Sequence, residues 1–221
     1  MKLLKIQPSL GDQVLQAILS EIASGKMPPG ARVIQEQIAQ DLGVSRQPVQ
    51  QALVLLRKQG VLHDAPGRGL IVAPLDIELV QHMYDVRAAL ETLAARKAAE
   101  NNPGRAALEG PDFIRNGRKA MAKRSVSDMV AADMAFHGFV YELSGNSLIA
   151  PAMEVHWTNI QRVMGEVLLH ENKPSDVWNQ HEELLQAVAT GNGKQAEKLA
   201  RAHILDAAEF MIHGLRKQSE V

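Results

Sequence analysis

Glycine and proline divide the first third of the chain into short pieces whose order leaves few folds open. Ser9 stands ahead of Leu10, Val14, Leu15, Ile18, Leu19 and Ile22, spaced as one apolar face of a helix, and Gly25 ends that run. Pro28, Pro29 and Gly30 break the chain before a shorter helical pattern of Ile34, Ile38, Ala39 and Leu42, closed by Gly43. A third helix follows at once. Ser45 offers an N-cap side chain, Pro48 falls in the first turn where its missing N–H costs little, and Val49, Ala52, Leu53 and Leu56 form the buried face up to Gly60. Two apolar segments, 61–63 and 70–72, flank Ala65-Pro66-Gly67-Arg68-Gly69, a composition suited to a hairpin tip. Helix, helix, tight turn, helix and hairpin is the pattern of a winged helix-turn-helix.

Pro74 to Asp76 reads as the joint between two domains, 1–74 and 75–221, because strand signals cease there and long helical periodicities take over. Those periodicities lie near 77–99, 111–123, 127–143, 147–169, 176–190 and 194–217. Asn101-Asn102-Pro103-Gly104, Gly145-Asn146, Pro174 and Gly191-Asn192-Gly193 separate them. The eight aromatic residues all lie beyond residue 74, which points to a separate and larger core. The expected fold class is mainly α, the winged helix-turn-helix being followed by an all-helical bundle.

The formal net charge of -1 hides an asymmetry: residues 1–74 carry eight Lys and Arg against five Asp and Glu, so the basic excess sits wholly in that part. Nucleic acid is the partner such a footprint suits, though the excess is modest. With no cysteine, the chain has neither disulfides nor thiolate chemistry, and any metal ligands must be His, Asp or Glu. A cytoplasmic protein is expected. No apolar run approaches the roughly 20 residues that cross a bilayer, and the first residues lack a signal-peptide core, so no membrane partner is expected.

Pro29-Gly30, Ile38-Ala39, the run Val44-Ser45-Arg46-Gln47-Pro48-Val49-Gln50-Gln51-Ala52-Leu53, Gly60 and the Gly67-Arg68-Gly69 tip together carry a family likeness. This part resembles the DNA-binding domain of the GntR superfamily. The second part resembles the FCD effector domain of that superfamily's FadR-type branch, through Arg87 with Glu91, Asp133 with His137, Gly145-Asn146, Gln180-His181 and Arg201-Ala202-His203. Where the family usually has Arg and Glu after Pro-Val, this chain has Gln50 and Gln51, a departure that bears on the operator sequence.

In a helix-turn-helix the N-terminal residues of the second helix enter the major groove, which nominates Ser45, Arg46, Gln47 and Gln50, with Gln51 beside them. An arginine there can pair bidentately with guanine O6 and N7, and glutamine with adenine N6 and N7. The resemblance further implies that Arg32 holds phosphate and that Arg68, on the wing, reaches the minor groove or the backbone. Taken singly, each of these is equally a solvated polar side chain.

Asp133 and His137, four apart on a helix, project from one face and can share an ion, although such a pair is also a common polar contact. His181 follows a Ser175 cap by about two turns, and His203 sits in the last helix beside Leu199 and Ile204. Imidazoles on apolar-rich helices need partners, and one cation would satisfy several. The resemblance implies that Asp133, His137, His181 and His203 ligate one buried divalent transition metal, with Zn, Ni, Fe and Mn all compatible with three imidazoles and a carboxylate. It also implies Arg87 as the counter-charge of a small organic or sugar acid effector; an intrahelical pair with Glu91 is the other reading. The histidines at 63, 82, 156, 170 and 213 join no such set.

The expected function is a ligand-responsive transcription regulator that binds a pseudo-palindromic double-stranded DNA operator as a homodimer, since one recognition helix reads few bases. Two rivals remain. A metal-dependent hydrolase with a docking N-terminal domain would need His-Glu-x-x-His, but Leu185 stands where the second ligand after His181-Glu182 belongs. Nucleophile-elbow, phosphate-loop and dinucleotide-binding motifs are absent too, so no enzyme is expected. A purely structural dimerisation module would leave the spaced His and Asp set unexplained.

Overall fold

A computed structural model of the chain describes residues 9–170 and 176–219. They form two compact units that divide between Pro74 and Leu75. The Ser175 cap and the Pro174 break lie outside the described residues.

The first unit runs α1 (Leu10–Ala23), β1 (Arg32–Val33), α2 (Gln35–Asp41), α3 (Arg46–Lys58), β2 (Leu62–Asp64) and β3 (Leu70–Val72). Ser9 opens α1 with a reciprocal cap: its Oγ accepts from the Asp12 N–H at 3.1 Å and its own N–H donates to Asp12 at 3.0 Å. Val14, Ile18, Val49, Leu56, Leu62 and Val72 meet in the core of this unit. β3 lies between β1 and β2, antiparallel to both, with Arg32 opposite Ile71 and Leu62 opposite Val72. The turn between β2 and β3 holds Gly67 at φ +93° and Gly69 at φ +101°, a left-handed backbone that glycine adopts without a Cβ clash and that carries Arg68 outward. This is a winged helix-turn-helix. The sequence reading contained only the hairpin; β1 adds a third strand, and its Val33 is buried.

The second unit consists of α4 (Ile77–Asn101), α5 (Pro103–Lys123), α6 (Val126–Ser144), α7 (Ile149–His170), α8 (Val177–Ala189) and α9 (Gly193–Ser219). Ala94, Ala95, Ala98 and Ala99 on α4 and Ala196 and Ala200 on α9 are buried, and these short side chains let the two helices approach closely. α5 starts eight residues before the expected 111. Pro103 occupies its first turn, where no N–H is required, and Pro111 lies inside it. Ala107 and Pro111 are both exposed, so water can take the carbonyl that Pro111 leaves without a donor. Asn101 and Asn102 donate to the carbonyls of Ser144 and Leu143, both at 2.7 Å, and so tie this corner to the end of α6. The mainly α fold is thus a winged helix-turn-helix followed by a helical bundle.

Candidate functional sites

Arg32, Ser45, Arg46, Gln47, Gln50 and Arg68 are all exposed. Four of them cluster at the N-terminal end of α3, Arg32 lies on β1 and Arg68 at the wing tip. Ser45 stands at the N-cap of α3 in extended backbone but its side chain makes no capping hydrogen bond, contrary to the role expected of it. Its hydroxyl therefore remains available to a phosphate or base. Arg46 pairs with Glu36 across the turn, while Gln35 Nε2 donates to the Arg46 carbonyl at 2.8 Å. Both ion-pair partners are exposed, so a more strongly charged acceptor can displace Glu36 at little cost. Gln51 faces Gly11 of α1 and not the side of Arg46 and Gln50. The Glu36 partner was missed because nothing in the spacing shows which residue of α2 meets α3.

In the helical unit three helices bring Asp133 and His137 (α6), His181 (α8) and His203 (α9) to one buried point, beside Arg87 and Glu91 of α4. His181 Nε2 lies 3.1 Å from His203 Nε2, and the Asp133 carboxylate is 3.7 Å from both His137 Nε2 and His181 Nε2. Donors placed about 2.0–2.1 Å from a zinc-like ion stand about 3.3 Å apart in a tetrahedron and about 2.9 Å apart at cis positions of an octahedron. The observed separations fit such an ion. One ligand atom from each of His137, His181 and His203 lies within 4.8 Å of the others, so the three imidazoles are close enough to hold one ion together.

The outer partners fix which nitrogen faces inward. His137 Nδ1 donates to Glu91 Oε2 at 2.5 Å, since a carboxylate can only accept, and this leaves Nε2 as the nitrogen on the side of the centre. Gln180 Nε2 donates to Asp206 at 3.3 Å, which turns the amide oxygen toward His203 Nδ1 at 2.9 Å; His203 Nε2 is thereby the free base. Burial, reinforced by His137, pushes His203 down to about 3, so it is neutral and able to ligate at neutral pH. Burial alone would raise Glu91, but the Arg87 guanidinium and His137 overcome it and hold the carboxyl at about 2. Aromatic rings pack around the centre, with Phe136 4.3 Å and Trp178 4.6 Å from the His181 ring.

Arg87 makes the intrahelical pair with Glu91 that its spacing allows. It donates to Glu91 at 2.7 Å, its guanidinium lies over the Tyr84 and Trp157 rings at 4.9 and 5.0 Å, and it also lines a cavity of about 60 Å³ shared with Asp133 and His203. Glu91 and Gln180, unassigned in the sequence reading, orient the imidazoles. The i, i+4 spacing of Arg87 and Glu91 was a usable signal for the first; the second was marked by the Gln180-His181 pair of the family likeness but given no role.

A winged helix-turn-helix joined to a helical unit is an architecture suited to a DNA-binding regulator. The model of the bacterial regulatory proteins of the gntR family matches residues 10–72, and that of the FCD domain matches residues 82–206. The chain belongs to the GntR family, in the branch that carries an FCD domain, and is a regulator and not an enzyme. It is similar to the HTH-type transcriptional repressor RspR of Escherichia coli (strain K12), 22% identical over 200 residues that cover 90% of this chain and 88% of that one. An HTH-type transcriptional regulator in an unstable DNA locus of Streptomyces ambofaciens is 29% identical over 188 residues, 81% of this chain and 75% of that protein. Among solved structures, E. coli McbR/YncC superposes with a TM-score of 0.80 at 21% identity, over 93% of this chain and 98% of that one. A GntR regulator of Rhodococcus sp. RHA1 gives 0.77 at 21% identity, over 92% and 97%. None of the described helices is long and apolar enough to cross a membrane.

Proposed function

We propose that the chain binds a pseudo-palindromic double-stranded DNA operator as a homodimer and responds to a small organic or sugar acid held in its helical domain. In this reading residues 1–74 read DNA, and residues 75–221 bind the effector and dimerise. Arg46, Gln47 and Gln50 address base edges, Ser45, Arg32 and Arg68 address the backbone or minor groove, and Asp133, His137, His181 and His203 hold a divalent transition metal. The observation that carries the reading is the convergence of Asp133 and three imidazoles, two of them oriented by Glu91 and Gln180, beside a cavity lined by Arg87. When bound, the ion would supply a Lewis-acid anchor for a carboxylate oxygen. Arg87 offers the acid a second, planar donor, and the cavity is lined from several helices, so an occupant alters the balance between their arrangements.

Elemental analysis of the purified protein tests the centre. About one transition metal per chain is expected, and its loss in His203→Ala. No metal in the wild type, together with no gain in Tm on adding zinc or nickel, would refute it.

A further inference from the structure

The lining of the cavity beside the metal-compatible centre includes charge that the reading above leaves unused. Among its described lining residues Arg87 is the one cationic side chain, against three carboxylates, Asp133, Asp176 and Asp206. Glu91 already pairs with Arg87 at 2.7 Å, so this arginine brings little uncompensated charge. At the centre, Asp133 offsets one of the two charges of a divalent ion and leaves that end net positive. Asp176 and Asp206 are exposed and sit at the rim. Asp176 is the N-cap of α8 and its carbonyl accepts from the Gln180 N–H at 2.9 Å, but its carboxylate makes no capping hydrogen bond, whereas Asp206 commits Oδ2 to Gln180. Met164 and Phe210 contribute apolar wall to the same cavity.

A dicarboxylate would have to set its second charge against this rim, where like charges repel. A ligand with a cation at its far end meets opposite charge at both ends, and an aliphatic spacer suits the wall. We propose that the effector is a short aliphatic amino acid, its carboxylate toward the centre and Arg87, its ammonium group at Asp176 and Asp206. This inference rests on the reading of the cavity as the effector site.

The test is calorimetric titration of the zinc-treated full-length protein, its metal content measured on the same sample, with three four-carbon probes: 4-aminobutyrate, butyrate and succinate. The expected result is binding of 4-aminobutyrate roughly tenfold or more tighter than either control. In Asp176→Asn, which keeps the shape of the side chain, that preference should fall to about threefold or less, with Tm and zinc content unchanged. Succinate binding as tightly as 4-aminobutyrate, no binding of any of the three, or an unchanged preference in Asp176→Asn would each overturn the proposal. A protein that takes up zinc but shows no preference defeats this inference alone. A protein without zinc that still prefers 4-aminobutyrate defeats the metal reading and keeps the amino acid.

Discussion

Gly117→Ala should unsettle the centre without touching any of its ligands. Gly117 is buried on α5, and a Cβ built there would fall well inside the van der Waals envelope of Trp178 Cζ2, Cε2 and Cη2. The indole cannot swing aside cheaply: Trp178 is buried, edge-on to Phe136 at 6.3 Å and to His181 at 4.6 Å. Overpacking of this kind costs about 1–3 kcal/mol, and a rigid ring argues for the upper end, about 3 kcal/mol. Helix propensity returns up to about 1 kcal/mol for glycine to alanine, leaving a net loss of about 2 kcal/mol. For a unit of this size that is a fall in Tm of about 4–8 °C. Because the displaced ring carries His181 with it, zinc affinity should fall as well. Gly138→Ala is the matched control: it lies next to His137 on α6, a Cβ there meets nothing within 4 Å, and it should raise Tm by about 1–4 °C. The assay is thermal unfolding by circular dichroism with a parallel zinc titration. Gly117→Ala melting at or above the wild type would refute the argument, since it would mean that α5 and α8 separate freely.

Three further outcomes are expected. Arg46→Ala should abolish specific operator binding in a gel-shift assay while Tm stays within about 1 °C, because its side chain and its Glu36 partner are both exposed; retained affinity would refute its role as a reader. Gln50→Arg should change the preferred base at one operator position and steepen the log-log salt dependence by roughly one unit per chain, and selection from random operators giving identical sequences and parallel slopes would show that position 50 reads nothing. Acidification should destabilise the metal-free protein. His203 is held at about 3 in the folded state against an ordinary value of 6.5, so between those limits the unfolded chain takes up a proton that the folded chain refuses, and stability drops by up to about 1.4 kcal/mol per pH unit. Glu91, held at about 2 against 4.5, adds to the loss below pH 4.5, and a Tm that is level from pH 7 to pH 4 would contradict both assignments.

How far such a protein can be read from its sequence depends on whether each signal is local. The three short helices and the wing were legible because their ends are chemical events within a few residues: the Ser9 cap, the stop at Gly43, the Pro66-Gly67 tip. β1 was not, since two residues have no periodicity, and Arg32–Val33 is a strand only because β3 offers it an edge. The start of α5 was misplaced for a related reason. Pro103 and Pro111 are the same residue type with opposite readings, and what separates an N-terminal proline from an interior one here is the solvent around Ala107, which no window of sequence contains. The centre divides in the same way. Asp133 and His137 share a face by helical period alone, whereas the work of Gln180 is invisible along the chain: it is bonded to His181 yet orients His203. Consecutive helical residues point about 100° apart, so α8 can serve α9 through both positions only because α9 packs across that arc. The outer partners of a buried polar cluster are therefore written in helix packing, even where every ligand has a local pattern of its own.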